Sequence, residues 1–112
     1  MSLQSELAEF RSTFMTQVPA EIREAMARAD LALAASGITQ RALKAGDFAP
    51  DFTLPDARGG TVRLSELLAS GPVVLSFYRG GWCPYCNLEL RALQRALPEI
   101  DLGYRLLVAG VA

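Results

Sequence analysis

The chain has 112 residues, of which 51% are apolar and 21% charged, a globular composition with room for one domain and a modest core. Its net charge is -1, with five basic and six acidic side chains in residues 1–50 and six of each in residues 51–112, so no basic face forms and no nucleic-acid partner is expected. Histidine is absent and there are only two cysteines, which excludes Ser-His and Cys-His catalysis and histidine metal sites within this chain and leaves thiol chemistry.

At the N-terminus, Glu6 and Glu9 interrupt the apolar stretch that a secretory signal requires. The expected location is therefore the cytoplasm, where thiols are mostly kept reduced. Leu3, Leu7, Phe10 and Phe14 recur at helical spacing, which predicts one apolar helix face. Pro19 suits the first turn of a second helix, in which Ile22, Ala25, Met26, Ala29 and Leu33 share a face and Gly37 is the stop. Residues 1–42 read as a helical arm that covers the core or builds a dimer contact. From Ile38 to Pro50 the periodicity breaks, with Gly46, Asp47 and Pro50 marking a connector. Residues 43–112 read as the α/β domain. Asp51–Leu54 and Thr61–Leu64 are predicted as short strands around a turn at Asp56–Gly60. Ser65 is expected to cap a helical turn through Ala69.

The longest uncharged run, Leu67 to Tyr78, has twelve residues, against about 20 needed to cross a bilayer, so no membrane span is expected. Its second half, Val73 to Tyr78, is continuously apolar but for Ser76, the pattern of a strand buried on both faces. The loop Arg79-Gly80-Gly81-Trp82 follows, then Cys83-Pro84-Tyr85-Cys86. A helix is predicted next, with Cys86, Leu90, Leu93 and Leu97 on one face, Glu89 and Arg91 on the exposed face, and its end near Pro98. Arg105 to Ala112 is a second apolar strand, and strand, helix, strand in this order makes a βαβ unit with parallel strands.

Cys83 at the start of that helix acquires a definite chemistry. Pro84 fits the first helical position, where no amide hydrogen is needed. The Cys83 sulfur then lies beside unpaired N–H groups at the positive end of the helix dipole, which favours the nucleophilic thiolate. Arg79 adds a positive charge from the loop, or serves as a solvated loop cation. Cys83 is accordingly predicted to be the more acidic and the more accessible thiol. Cys86 falls one helical turn on, on the same side, within reach of a disulfide that resolves an oxidised Cys83. Trp82 and Tyr85 line a substrate surface or pack around the loop.

Two segments resemble the alkyl hydroperoxide reductase and thiol-specific antioxidant family. One runs from Gly46-Asp47-Phe48-Ala49-Pro50 to Asp56, and the other from Val74 through Arg79-Gly80-Gly81-Trp82-Cys83-Pro84-Tyr85-Cys86. The second is most similar to a peroxiredoxin-like subgroup whose loop reads RGxWCPxC, and the matches span about residues 43–111. The resemblance implies the N-terminal portion of a thioredoxin-like fold, with a βαβ core preceded by a helical arm. It makes Cys83 the peroxidatic cysteine, which attacks a hydroperoxide and becomes a sulfenic acid. It also implies a hydroperoxide or disulfide substrate and an external thiol reductant. The apolar last strand, Leu106 to Ala112, is expected to pair through its edge with another chain, which gives a homo-oligomer, and no cofactor or metal is expected because two thiolates are too few for a closed zinc site.

Three departures qualify the resemblance. Gly80 stands where the family carries Thr or Ser, and Cys86 stands where many members carry Glu, as in a thioredoxin-like CxxC. The family's second active-site arginine and the thioredoxin-fold proline facing the cysteine belong downstream of Ala112. The alternatives are a thioredoxin-like thiol-disulfide oxidoreductase, a redox-inactive fragment, and a zinc site shared by the cysteine pairs of two chains, since zinc takes four ligands.

Overall fold

The structure, a computed structural model, describes residues 1–110. The N-terminal part is helical, with α1 at Leu3–Gln17, α2 at Ala20–Ala35 and a short α3 at Ile38–Arg41. Along α1, Leu3, Leu7, Phe10 and Phe14 are the half-buried face expected of them, and the Phe10 and Phe14 rings stack with centroids 6.0 Å apart. Helix ends leave carbonyls without intrahelical partners. Here the Arg23 guanidinium donates to the carbonyl oxygens of Met15 and Val18, both at 3.0 Å. Pro19 sits at the N-cap of α2, one place outside its first turn. Gly37, at φ 77°, stops α2 in the left-handed conformation that glycine adopts without strain. Of the apolar face predicted for α2, only Met26 is half-buried. The presumed connector contains α3, where Arg41 reaches back to the Ser36 carbonyl at 2.7 Å. Residues Gln4–Ala49 form one compact unit, and a second is built from Pro50 onward.

The second unit opens with an antiparallel hairpin, β1 at Thr53–Pro55 and β2 at Thr61–Arg63, in the register Thr53↔Arg63 to Pro55↔Thr61. Its turn is shaped by Asp56, whose Oδ1 accepts from the Arg58 and Gly60 amides at 2.8 Å each, an aspartate bonding its own downstream backbone. The helix α4, Leu64–Leu68, follows directly. Ser65 does not cap it. Instead, Asp51 accepts from the Ser65 amide at Oδ1 and from the Ser65 hydroxyl at Oδ2, both at 2.8 Å. The hairpin folds the chain back so that a carboxylate fourteen residues upstream meets a first-turn donor, and the anion also suits the positive end of the helix.

The core of this unit is the βαβ element. β3, Val73–Tyr78, pairs in parallel with β4, Arg105–Gly110, in the register Val73↔Arg105 to Tyr78↔Gly110, and α5, Pro84–Ile100, is the crossover. This is the α/β class expected, a partial thioredoxin-like arrangement with a βαβ core and preceding helices. Pro98 does not end α5. It removes one N–H near the terminus, where few bonds depend on it, and Asp101 still donates to the Leu97 carbonyl at 2.9 Å. Val111 and Ala112, the end of the predicted strand, lie outside the described residues.

β3 is not buried on both faces. Ser76 is buried, but Phe77, on the opposite side, is 64% exposed. Alternation along a strand sends successive side chains to opposite faces, and on the Phe77 side Val73 and Leu75 are half-buried while Phe77 itself is exposed. The buried apolar residues are Leu64, Cys83 and Ala109, so the core of this unit is small and includes the sulfur.

The Asp51 staple has a pH signature. Hydrogen bonds from the Ser65 amide, then from its hydroxyl, hold the Asp51 carboxyl below its ordinary 3.8. A carboxyl acidified by folding adds stability that is present above its unfolded value and lost as pH falls through the folded one. Asp51→Ala is therefore expected to lower the thermal midpoint at neutral pH. Its gap from the unaltered protein should close as pH falls below 3.8, and circular dichroism melts across pH measure it.

Candidate active site

The site is a strand, a loop and a helix start. β3 delivers the chain to Arg79, the loop runs to Trp82, and Cys83 becomes the N-cap of α5 with extended dihedrals of φ -93° and ψ 104°. Pro84 is then the first helical residue, where its fixed φ is already helical. The cap atom is sulfur, since Cys83 Sγ accepts from the Cys86 amide at 3.4 Å. Three more bonds brace the loop against the helix. The Cys83 amide donates to the Gly80 carbonyl at 3.0 Å and the Asn87 amide to the Cys83 carbonyl at 3.1 Å. The Asn87 side-chain amide donates to the Gly81 carbonyl at 2.9 Å.

This geometry lowers the pKa of Cys83 below that of an ordinary thiol. The largest cause is the hydrogen bond from the Cys86 side chain, opposed by burial and helped by the Cys86 amide, the Arg79 charge and the Tyr85 amide. The sign agrees with a thiolate at a helix N-terminus. The expectation of greater accessibility is corrected: Cys83 is 2% exposed, whereas Cys86 is half-buried. Capping turns the sulfur inward over the first helical turn, so the feature that acidifies the thiol also hides it. Both cysteines are free thiols.

Arg79, Gly80, Trp82, Cys83, Pro84 and Cys86, all singled out from the sequence, lie in this one segment. Arg79 places its guanidinium carbon 4.7 Å from the centroid of the Trp82 ring. Glu89 is a correction. It is half-buried, and its Oε1 accepts from the buried Ser76 hydroxyl at 3.1 Å. Its position was visible in the spacing, because residue 89 falls three after Cys86 and four before Leu93 on the apolar face. Asn87 carries no comparable signal, since its partner is a backbone carbonyl that only the folded loop presents. The apolar groove between the hairpin and β4, lined by Phe52, Leu54, Val62, Leu107 and Ala109 among others, includes no residue of the 79–86 segment. Among the described residues no three His, Cys, Asp or Glu side chains gather as a metal cluster, and no helix is long and apolar enough to cross a membrane.

The sequence profile of the AhpC/TSA family matches residues 45–111, more than half of the chain and all of the strand–loop–helix just described. The chain belongs to that family. Relatives include two proteins of Mycobacterium tuberculosis, "Putative peroxiredoxin Rv1608c" of strain H37Rv and "Putative peroxiredoxin MT1643" of strain CDC 1551. Each is 51% identical to this chain over 61 residues, covering 52% of this chain and 40% of the relative. The chain thus spans less than half the length of these curated relatives. No solved structure matches it closely.

The asymmetry of the two thiols is directly measurable. The pH midpoint for iodoacetamide alkylation of the Cys86→Ser protein, which reports Cys83, is expected to fall below that of the Cys83→Ser protein. A bulky aromatic disulfide reagent should favour Cys86, the more exposed sulfur. The reverse order of midpoints contradicts the capped-thiolate geometry.

Proposed function

We propose that Cys83 is the peroxidatic thiolate of a thiol peroxidase that reduces hydroperoxides, with Cys86 as its resolving thiol. Membership of the AhpC/TSA family and the peroxiredoxin names of the relatives support an antioxidant oxidoreductase. The observation that carries the finer reading is the combination at Cys83 of an amide-capped, acidified sulfur and 2% exposure. A hydroperoxide offers two small oxygens to such a sulfur. A protein disulfide must bring two substituted sulfurs in line with the attacking one, which needs far more open space.

The chemistry balances in two steps. The Cys83 thiolate attacks the terminal oxygen of the hydroperoxide, the O–O bond breaks, and the alcohol or water leaves with a proton as Cys83 becomes a sulfenic acid. The Cys86 thiol then attacks the Cys83 sulfur, forming the disulfide and releasing water. An external thiol reductant returns both cysteines to thiols by exchange.

A thioredoxin-like disulfide reductase is the second reading, favoured by Gly80, which offers no hydroxyl to a peroxide, and by the CxxC itself. The two separate in the Cys86→Ser protein. A peroxidase accumulates a Cys83 sulfenic acid with hydrogen peroxide, trapped by dimedone, whereas a disulfide reductase accumulates a mixed disulfide with its substrate. We expect dimedone labelling of Cys83, abolished in Cys83→Ser. Peroxide reactivity no faster than that of free cysteine in stopped-flow measurements defeats the peroxidase assignment.

The assembly we propose is a homo-oligomer. Both edges of the two-stranded parallel sheet are unpaired among the described residues, and Phe77 is exposed beside them. Unpaired edges and apolar patches recruit partners. Light scattering is expected to give a mass above one chain, reduced by Phe77→Ser, and a monomer at high concentration contradicts the proposal.

A further inference from the structure

The loop between β3 and α5 contains a large aromatic side chain that burial does not explain. Trp82 is 69% exposed, so its indole fills no core, yet it is held close against its own backbone. A Cβ placed on Gly80 falls 2.8 Å from Trp82 Cδ1, and the indole nitrogen is nearer still. Real side chains do not approach so closely, so the indole lies in space that only glycine leaves empty. Gly80 also has φ 155°, outside the range that residues with a side chain readily adopt. Both features belong to one arrangement, in which the chain turns sharply after Arg79 and the residue two places beyond Gly80 folds back over it.

Arg79 lies on that folded-back ring. Its guanidinium carbon is 4.7 Å from the ring centroid, within the roughly 6 Å at which the face of an indole attracts a cation. Among the described residues the guanidinium has no carboxylate partner, so the ring is what limits where this flexible side chain goes. A carboxylate in the same role would cancel part of the charge, whereas an aromatic face holds the cation and leaves its charge available.

We propose that Trp82 is a positioning residue for Cys83: its indole is the shelf that holds the Arg79 guanidinium beside the helix start, and Gly80 is the residue that makes room for the shelf. The titratable groups on the elements that meet at Cys83 are Tyr78 at the end of β3, Arg79 on the loop, and Tyr85, Cys86, Glu89, Arg91, Arg95 and Glu99 on α5, and Arg79 is the cation nearest to Cys83 in the chain. Its charge is among the causes that favour the Cys83 thiolate. A side chain at position 80 and an indole in this folded-back position exclude each other.

The inference rests on Cys83 being the reactive thiol, but it does not depend on whether the electrophile is a peroxide or a disulfide. The test uses the whole chain in a Cys86→Ser background and follows iodoacetamide alkylation of Cys83 across pH. Removing the shelf frees the cation and raises the midpoint. At a pH below the midpoint, Trp82→Ala is expected to slow alkylation about two- to five-fold, the factor by which loss of an exposed cation–π contact depopulates the docked guanidinium. Trp82→Phe, which keeps an aromatic face, should recover most of the rate. Arg79→Gln should slow it at least as much, and adding Trp82→Ala to Arg79→Gln should change nothing further, since neighbours acting through one path are non-additive. Because Trp82 is exposed, these variants should keep the circular dichroism spectrum of the parent. An unchanged midpoint in Trp82→Ala overturns the proposal, and so does an equal shift from Trp82→Ala with Arg79 already removed. The alkylation readout contains no peroxide, so a protein that passes this test yet ignores hydroperoxides loses the peroxidase reading and keeps the shelf.

Discussion

The first turn of a helix presents amide hydrogens that the helix itself cannot satisfy, and in α5 the acceptor for one of them is a sulfur. The 3.4 Å contact from the Cys86 amide to Cys83 Sγ ends the loop and starts the helix, and it adds to the Cys86 side-chain hydrogen bond that most favours the thiolate. A neutral thiol is a poor acceptor and a thiolate a good one, so the bond is strongest in the ionised state and draws the sulfur toward it. Pro84 contributes by needing no acceptor for itself and by arriving with a helical φ. Whatever unwinds this first turn removes the cap and the anion stabilisation together.

The cap holds only because its surroundings are fastened by polar contacts, in a unit whose buried apolar core is small. Asn87 returns to the Gly81 carbonyl at 2.9 Å, so the first turn of α5 grips the loop that precedes it. Ser76 on β3 and Glu89 on α5 join strand to helix at 3.1 Å, and Asp51 ties the segment before the hairpin to the start of α4 at 2.8 Å. Each is a partly or fully exposed bond of modest net worth. The first two fix the directions from which β3, the loop and α5 converge on the sulfur. Parallel pairing of β3 with β4 supplies the frame, because it forces α5 to run back across the sheet.

The same geometry limits what the sulfur can meet. Acidity and concealment have one origin here, the inward turn of the cap. Around it, Gly80 leaves room for the Trp82 indole, and Arg79 rests on that ring at 4.7 Å. Cys86, one turn along α5, places a second free thiol on the same helix start.

Much of this was legible from residue order, because it depends on neighbours in the chain. Apolar spacing marked the face of α1, the run Val73 to Tyr78 marked β3, and glycine after a helical stretch marked the end of α2. A cysteine followed by proline after a strand marked the cap. Contacts across the fold were not legible. Ser65 looked like a cap in its own right, and only the hairpin brings Asp51 close enough to bond it. Glu89 looked like solvent-facing charge, and only the packing of α5 on β3 gives it the Ser76 hydroxyl. Phe77 looked buried, and only the folded sheet leaves it exposed. Cys83 looked open, because the sequence indicates which atom begins the helix but not which way it turns. Residue order marked most of the elements, the helix start at Cys83 and the second thiol one turn away, since each follows from local periodicity and the start of a single helix, but it missed α3 and the reach of α5 past Pro98. The tertiary structure decided how far the thiol is exposed, which polar groups brace it and what stands beside Arg79, since these depend on where distant segments meet.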